Sequence, residues 1–266
     1  MSIYDEEFYK QQSQGSYQSA KEIIPIINNF IPNIQSVLDV GCGIGTWLKA
    51  WQEQNKLIEI FGVDGNDISG SFFYIDKSNY KKIDLTTTAN AILDDIKYSL
   101  KSSDYRKKKR GGVKLFSLTQ SLEVAEHIDE KYAQNFIELL TLTSDIILFS
   151  AAIPNQGGLE HINEQPPKYW ANLFEKYDYL CFDIRNLFWE NDKIDFWYRQ
   201  NIFIYIHKDK INSLEIPIKP TQNPLHIVHP EKLIGSLEVK KEKENEKNKG
   251  FRLYLRHPKK IFQGKK

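Results

Sequence analysis

Val37-Leu38-Asp39-Val40-Gly41-Cys42-Gly43-Ile44-Gly45-Thr46-Trp47 is the stretch whose reading decides the fold. Ser36 to Val40 is a short, mostly apolar run, the pattern of a buried parallel strand, and it empties into three closely spaced glycines. Thr46 to Gln54 follows as a helix with Trp47, Leu48 and Trp51 on one stripe. A strand, a glycine turn and a helix in that order let a ligand approach the backbone at the carboxyl edge of a sheet, because glycine carries no Cβ.

Outward from this stretch the period alternates. Ala20, Ile23, Ile24, Ile27 and Phe30 recur at helical spacing before it, with Pro25 as a boundary or kink. After it, strands are expected at Ile58–Val63, Lys81–Leu85, Val113–Ser121, Asp145–Ser150, Tyr179–Ile184 and Asn201–His207. Helices fit Thr86–Lys101, Asp129–Leu142 and Pro166–Tyr177, the last with proline at its start, where a missing N–H costs little. The expected fold class is α/β: a Rossmann-like, mostly parallel seven-stranded sheet with an antiparallel edge strand and helices on both faces. Residues 1–34 read as a helical preface or lid, 35–210 as the main domain, and 211–266 as a partly disordered extension. In that extension Pro217, Pro220, Pro224 and Pro230 break any long element, and Lys240 to Lys249 is almost all Lys, Glu and Asn.

Composition narrows the class of protein. A chain of 266 residues with 41% hydrophobic and 13% aromatic residues can bury a substantial core. The formal net charge of +1 argues against nucleic acid as a partner, although Arg106 to Arg110 is a compact basic loop. Two cysteines, Cys42 and Cys181, do not suggest a disulfide scaffold, and the acidic start is no signal peptide, so a cytoplasmic location is expected. No apolar run approaches the ~20 residues needed to span a bilayer.

Dinucleotide enzymes share part of this logic, with G-x-G-x-x-G and an acidic residue ~20 positions on. Here the glycine spacing is G-x-G-x-G, and Thr46 stands where the dinucleotide pattern wants a small residue. The stretch from Val37 to Trp47 instead resembles motif I of class I S-adenosylmethionine-dependent methyltransferases. Gly62-Val63-Asp64-Gly65 resembles the family's ribose-binding strand end, and Ile83-Asp84-Leu85 its third-strand acidic site, whose carboxylate meets the adenine amino group. Ser121-Leu122-Glu123-Val124-Ala125-Glu126-His127-Ile128 resembles the fourth-strand motif. The resemblance spans roughly residues 35–210 and implies S-adenosyl-L-methionine as cofactor. It implies contacts from Asp39, Gly41, Gly43, Gly45, Asp64, Gly65, Asp84, Leu85, Ser121 and Glu123, with Asp39 near the cationic methionine part.

Methyl transfer also needs an aligned acceptor and commonly a base. Glu123 to His127 is similar to the E-x-x-E-H stretch with which ubiquinone-pathway O-methyltransferases hold a divalent metal. That stretch is also widespread in family members without a metal, so no metal ligand is assigned and a divalent metal stays an option. The polar loop from Asn155 to Gln165 follows the fifth strand and reads as a binding loop. His161 is the candidate general base, with Glu164 to orient it or bind acceptor hydroxyls, and His127 is a further catalytic candidate. Tyr4, Phe8, Tyr9 and Tyr17, with Trp189, Phe196, Trp197 and Tyr198, are candidates for a lid and an acceptor wall or for the core. Gln14, Gly15 and Ser16 are further candidates to touch the cofactor. The leading function is O-methylation of a small polar acceptor such as a sugar or glycan hydroxyl. An N-methyltransferase, a macromolecule methyltransferase, an NAD-dependent oxidoreductase and a non-catalytic cofactor-binding module stand as alternatives. The oligomeric state is not legible.

Overall fold

The computed structural model describes residues 6–66, 73–100, 114–214 and 216–235, with side chains from residue 13 onward. The basic loop at 106–110, the Lys/Glu-rich tail and the side chains of Tyr4, Phe8 and Tyr9 lie outside the described residues. The chain forms two compact units, Met1–Ile227 and Val228–Lys266. Residues 211–227 therefore belong with the sheet, where Thr221 bridges to Cys181.

Seven strands form one sheet in the order β3-β2-β1-β4-β5-β7-β6. They are β1 (Ser36–Val40), β2 (Glu59–Asp64), β3 (Tyr80–Lys82), β4 (Leu118–Leu122), β5 (Ile146–Ser150), β6 (Tyr179–Phe182) and β7 (Phe203–His207). The first five run parallel, and β7 pairs antiparallel with both β5 and β6. The reversed strand thus sits one place in from the edge, and β6 takes the edge itself. β3 is only three residues long, shorter than its apolar pattern suggests, because the chain leaves the sheet at Ile83 to begin a turn at Asp84.

The helices follow their sequence signals. Helix α1 (Glu6–Phe30) runs on through Pro25, which does not end it. Helix α2 (Thr46–Gln54) starts at Gly45. Helix α3 (Ala89–Ser99) is capped by the Thr88 hydroxyl on Ala91 N–H, and α4 (Glu130–Thr143) by the Asp129 carboxylate on Lys131 N–H. Helix α5 (Pro167–Glu175) opens on its proline, and a short α6 (Phe196–Asn201) leads into β7.

Alternation along the strands sorts the core into two layers. Leu38, Val40, Phe61 and Val63 face one side and pack with Ile92, Ile96, Phe136, Leu140 and Phe174 of α3, α4 and α5. Val37, Ile60, Leu118 and Leu148 face the other and pack with Ile23, Ile27, Trp47 and Trp51 of α1 and α2. Burying each such side chain stabilises the fold by about 1.5–3 kcal/mol. Asp39 and Gln120 share the α1–α2 face, and Gln120 Oε1 accepts from Trp51 Nε1 at 2.8 Å.

From β1 the chain winds outward through β2 and β3, then returns to place β4 on the opposite side of β1. The connections diverge between β1 and β4, and in open α/β sheets a ligand crevice forms at that point, beyond the strands' carboxyl ends. The glycine turn after β1 and the Glu123 segment after β4 flank it.

One charged group holds the far end of the sheet. Arg185 is 1% exposed and donates through Nε and Nη2 to Asp183 at 2.8 and 2.6 Å, through Nη1 to Gln200 O, and through Nη2 to Leu225 O. Asp183→Ala leaves this guanidinium without its counter-charge. The expected cost is about 3 kcal/mol, the low end for a broken buried pair because Asp183 itself is partly exposed. Urea unfolding of the two proteins measures it, and equal midpoints would contradict the assignment.

Candidate active site

The glycine turn is tied to the sheet at three points. Gly41 and Cys42 N–H groups donate to Val63 O at 2.8 and 3.1 Å, and Gly43 N–H donates to Asp64 Oδ2 at 2.8 Å. Gly41, Gly43 and Gly45 have φ of +85°, +50° and +84°, values that L side chains rarely adopt. At Gly41 a Cβ would fall 2.4 Å from Val124, so the turn presses directly onto the β4 segment. At Gly43 a Cβ would meet nothing within 4 Å, so the middle of the turn borders open space. Residues present at this edge fit a nucleoside-bearing ligand: a backbone free of side chains, with a carboxylate beside it.

That carboxylate is Asp64, at the end of β2. It is buried, accepts from Gly43 N–H and, through Oδ1, from Asn66 N–H at 2.8 Å, and keeps lone pairs for further donors. Burial raises its pKa, and the Asn66, Gly43 and Gly65 amides oppose the rise. Gly65 is exposed and adjoins the end of β3. Asp84 is exposed there as well, with Oδ1 held by Thr86 N–H and Oγ1 at 2.9 and 2.6 Å, which lowers its pKa. Leu85 beside it is buried.

Asp39 lies under the turn and is 4% exposed. Burial pushes its carboxyl up to about 7; hydrogen bonding from Gln120 offsets part of this and the nearby Asp64 adds to it. Ser121 is fully buried, and its hydroxyl donates to Val40 O at 2.8 Å. Its role in this structure is to lock β4 to β1.

Above α2, Ser16 Oγ lies 3.1 Å from Thr46 Oγ1 and 3.2 Å from Tyr198 OH, while Trp47 Nε1 donates to Tyr198 OH at 3.3 Å. A Cβ on Gly15 would fall 2.4 Å from the Asp195 carboxylate. Helix α1 therefore closes on the start of α2 and on α6. Tyr17 stacks obliquely on Tyr74, whose N–H donates to Ile44 O of the turn at 2.9 Å, and donates to Glu53.

Glu123 begins the β4 segment in the left-handed region, at φ +55°, with its N–H on Ser150 O and Oγ. Its carboxylate is held by amides: Asn201 Nδ2 donates to Oε1 and Oε2 at 3.0 and 3.2 Å, and Gln156 Nε2 to Oε2 at 3.1 Å. Gln200 Nε2 extends the network to Gln156 Oε1 at 2.9 Å. The sequence reading missed Gln200 and Asn201. Their only signal is an uninterrupted polar run, Arg199-Gln200-Asn201, directly before a buried strand.

A second cluster follows. Glu126 O accepts from both Ile162 and Asn163 N–H groups at 2.9 Å, which pins the 155–165 loop onto the turn Ala125–His127. His127 and His161 meet edge to face, 4.8 Å between ring centres. His161 Nδ1 lies 2.9 Å from Glu164 Oε1, which also accepts from Gly157 N–H at 2.6 Å. Burial, then the neighbouring His161, lowers the His127 pKa, so its imidazole is neutral near pH 7. The expected catalytic residues His127, His161 and Glu164 are thus in one group. Val124, against Gly41, joins that group to the glycine turn.

No family model matches the sequence, and no curated protein matches it. Among solved structures the chain is similar to magnesium protoporphyrin IX methyltransferase from Synechocystis PCC 6803 with bound SAH. The two are 12% identical over 75% of this chain and 88% of that one, at a TM-score of 0.47. DesVI of Streptomyces venezuelae is 10% identical, over 75% and 95% of the two chains, at 0.47. An O-methyltransferase family protein from Burkholderia thailandensis is 10% identical, over 77% and 60%, at 0.48. At such values these neighbours lend nothing to the substrate, and the fold stands on its own strand order.

Asp39 gives a stability test with a defined sign. Its pKa is about 7 in the fold against 3.8 when unfolded, so below pH 4 both states hold the proton and nothing is lost. As pH rises from 4 to 7 the unfolded chain releases the proton first, and stability falls; above 7 the loss is complete. Asp39→Asn removes this term and is expected to be more stable at pH 8 by on the order of 3 kcal/mol, with little difference at pH 4. Denaturant titrations at the two pH values check it, and an Asn variant that is less stable at pH 8 would refute it.

Proposed function

We propose that this chain is a class I S-adenosylmethionine-dependent methyltransferase acting on a hydroxyl of a small polar acceptor, with sugars and glycans as the favoured class. The observation that carries the reading is the turn at the switch point, where Gly43 borders open space and Asp64 stands beside it with unused lone pairs. Bound S-adenosylmethionine supplies a methyl carbon on a positively charged sulfur.

The chain's residues divide the remaining work. Gly41, Gly43 and Gly45 keep the turn bare, and Asp64 and Gly65 receive the ribose. Asp84 and Leu85 border the adenine. Asp39, buried and close to half ionised at neutral pH, favours a cationic ligand over a neutral one, since a nearby positive charge draws off its proton. Ser121 supports the turn from β4, and Glu123 fixes the floor between cofactor and acceptor. Helix α1 with Tyr198 limits water on the α2 side. The acceptor hydroxyl's proton leaves toward the His127–His161 pair, whose His161 ring is held by Glu164. The polar loop at 155–165, tied to the same group, supports a hydroxyl-rich acceptor. No described helix is long and apolar enough to cross a membrane, and both cysteines are buried and unpaired, which supports a cytoplasmic location.

Titration calorimetry with S-adenosylhomocysteine and with NAD separates the methyltransferase from the dinucleotide reading. Binding of the first and not the second is expected, and the reverse would refute the proposal. Asp64→Asn is expected to weaken S-adenosylhomocysteine binding at least tenfold. His161→Ala is expected to bind it as the parent does and to lose about 10²-fold or more in turnover, the scale of a positioned proton-transfer group. An acceptor screen with labelled methyl donor identifies the substrate for that comparison, and undiminished turnover in His161→Ala would remove the residue from the mechanism.

A further inference from the structure

Asp39 occupies one position in a row that crosses the sheet. In register with it stand Gly62 on β2 and Gln120 on β4, and beyond Gln120 stands Leu148 on β5. Side chains in register on neighbouring strands share a face of the sheet. Gly62 has no side chain and Leu148 is apolar, so Gln120 is the one polar neighbour that the row gives Asp39. Gln120 is fully buried, and Asp39 nearly so. An amide buried there is costly unless both of its ends find partners.

Trp51 of α2 decides which end faces which way. Its Nε1–H donates to Gln120 Oε1 at 2.8 Å, and an indole nitrogen only donates, so the oxygen end of the amide is committed to α2. The Nε2 end is left for Asp39, whose carboxyl it favours in the charged form. In this structure Nε2 makes no hydrogen bond of normal geometry. The amide is therefore aimed at Asp39 with donor capacity in reserve, to be used when that carboxyl gains charge.

The other ionisable groups around Asp39 do not favour its anion. Asp64 on β2 opposes ionisation, and the Cys42 thiol on the turn is held neutral by burial and by the two carboxylates. On α2, Lys49 pairs with Glu53 at the surface. On α1, Lys21 lies over the Tyr17 ring, and Glu22 accepts from Gln18 and Asn191.

We propose that Gln120, oriented by Trp51, is a positioning residue for a cationic ligand: it holds the Asp39 side chain beneath the glycine turn and stabilises its anion when positive charge arrives at the crevice. That the cation is the sulfonium of S-adenosylmethionine rests on the methyltransferase reading; the hold of Gln120 on Asp39 does not.

The test uses the full chain and two variants. Trp51→Phe keeps Gln120 but frees its amide to turn. Gln120→Met combined with Trp51→Phe removes donor and acceptor of that hydrogen bond together, which leaves neither unpaired and so preserves the fold. Without ligand, carbon-13 NMR follows the Asp39 carboxyl through a pH titration, its signal identified by its loss in Asp39→Asn. The midpoint, about 7 in the parent, is expected to rise by about one pH unit in the double variant and by less in Trp51→Phe. An unchanged or lower midpoint in the double variant overturns the proposal, whatever ligand binds.

With ligand, calorimetry at pH 7 compares S-adenosylmethionine with S-adenosylhomocysteine. A midpoint moved from about 7 to about 8 lowers the ionised fraction of Asp39 from about one half to about one tenth. The double variant is therefore expected to lose about fivefold in affinity for S-adenosylmethionine relative to S-adenosylhomocysteine, and to lose nothing in that ratio when Asp39→Asn is present in both proteins. A ratio that falls equally without the Asp39 carboxylate would mean that Gln120 acts through packing alone, and it too overturns the proposal. Failure of the parent to bind either ligand refutes the methyltransferase reading instead, and the carboxyl titration still decides the role of Gln120.

Discussion

Three buried carboxylates, Asp39, Asp64 and Glu126, and the part-buried Glu123 end on one edge of one sheet, and the rest of the site is arranged around keeping them there. Burial raises the pKa of each. The fold answers them differently: Asp64 with turn amides, Glu123 with side-chain amides, Asp39 with a nearby glutamine, and Glu126 by lying against the Ala152 backbone and the Glu123 carboxyl, without a hydrogen bond of normal geometry. Asp64 and Glu123 hold neighbouring segments in place, Asp64 with lone pairs to spare, and Asp39 is left short of positive charge.

This division places the chemistry. The Asp64–Gly43 hydrogen bond fixes the turn that leaves a bare backbone at the crevice, and Asp39 sits beneath that same turn. Glu126 is grouped with the two histidines and lies against Glu123. On the proposed function, a cationic methyl donor is matched to the deficit of positive charge at Asp39. Glu123 adopts left-handed backbone, at a cost of about 1 kcal/mol or more.

Much of this was legible in the residues. The glycine turn, β1, α2 and β2 follow from local patterns because their determinants are local: buried apolar alternation, absent Cβ atoms and an acidic strand end. Pro25 reads in the sequence as a boundary or kink, and only the boundary is excluded, since the packing of Ile23, Ile24 and Ile27 against α2 and the sheet outweighs one lost hydrogen bond. The place of β7 inside β6, and the 211–227 segment's return to the sheet, depend on long-range pairing that no short window contains. Within the site, the sequence offered Glu123, Glu126, His127, His161 and Glu164 as one polar vocabulary. Only the tertiary structure shows Glu123 held by Asn201 and Gln156 while lying against Glu126. Gln200 and Asn201 escaped notice because a buried amide and an exposed one look alike in sequence.

The most direct test of this charge-deficit account is the proton balance of cofactor binding. Calorimetry of S-adenosylmethionine and of S-adenosylhomocysteine at pH 7, each in two buffers of different ionisation enthalpy, counts the protons released. The account predicts a larger release with the sulfonium-bearing ligand, because the added positive charge expels the Asp39 proton, and loss of that excess in Asp39→Asn. Equal release with the two ligands, or an excess that survives in Asp39→Asn, would contradict it.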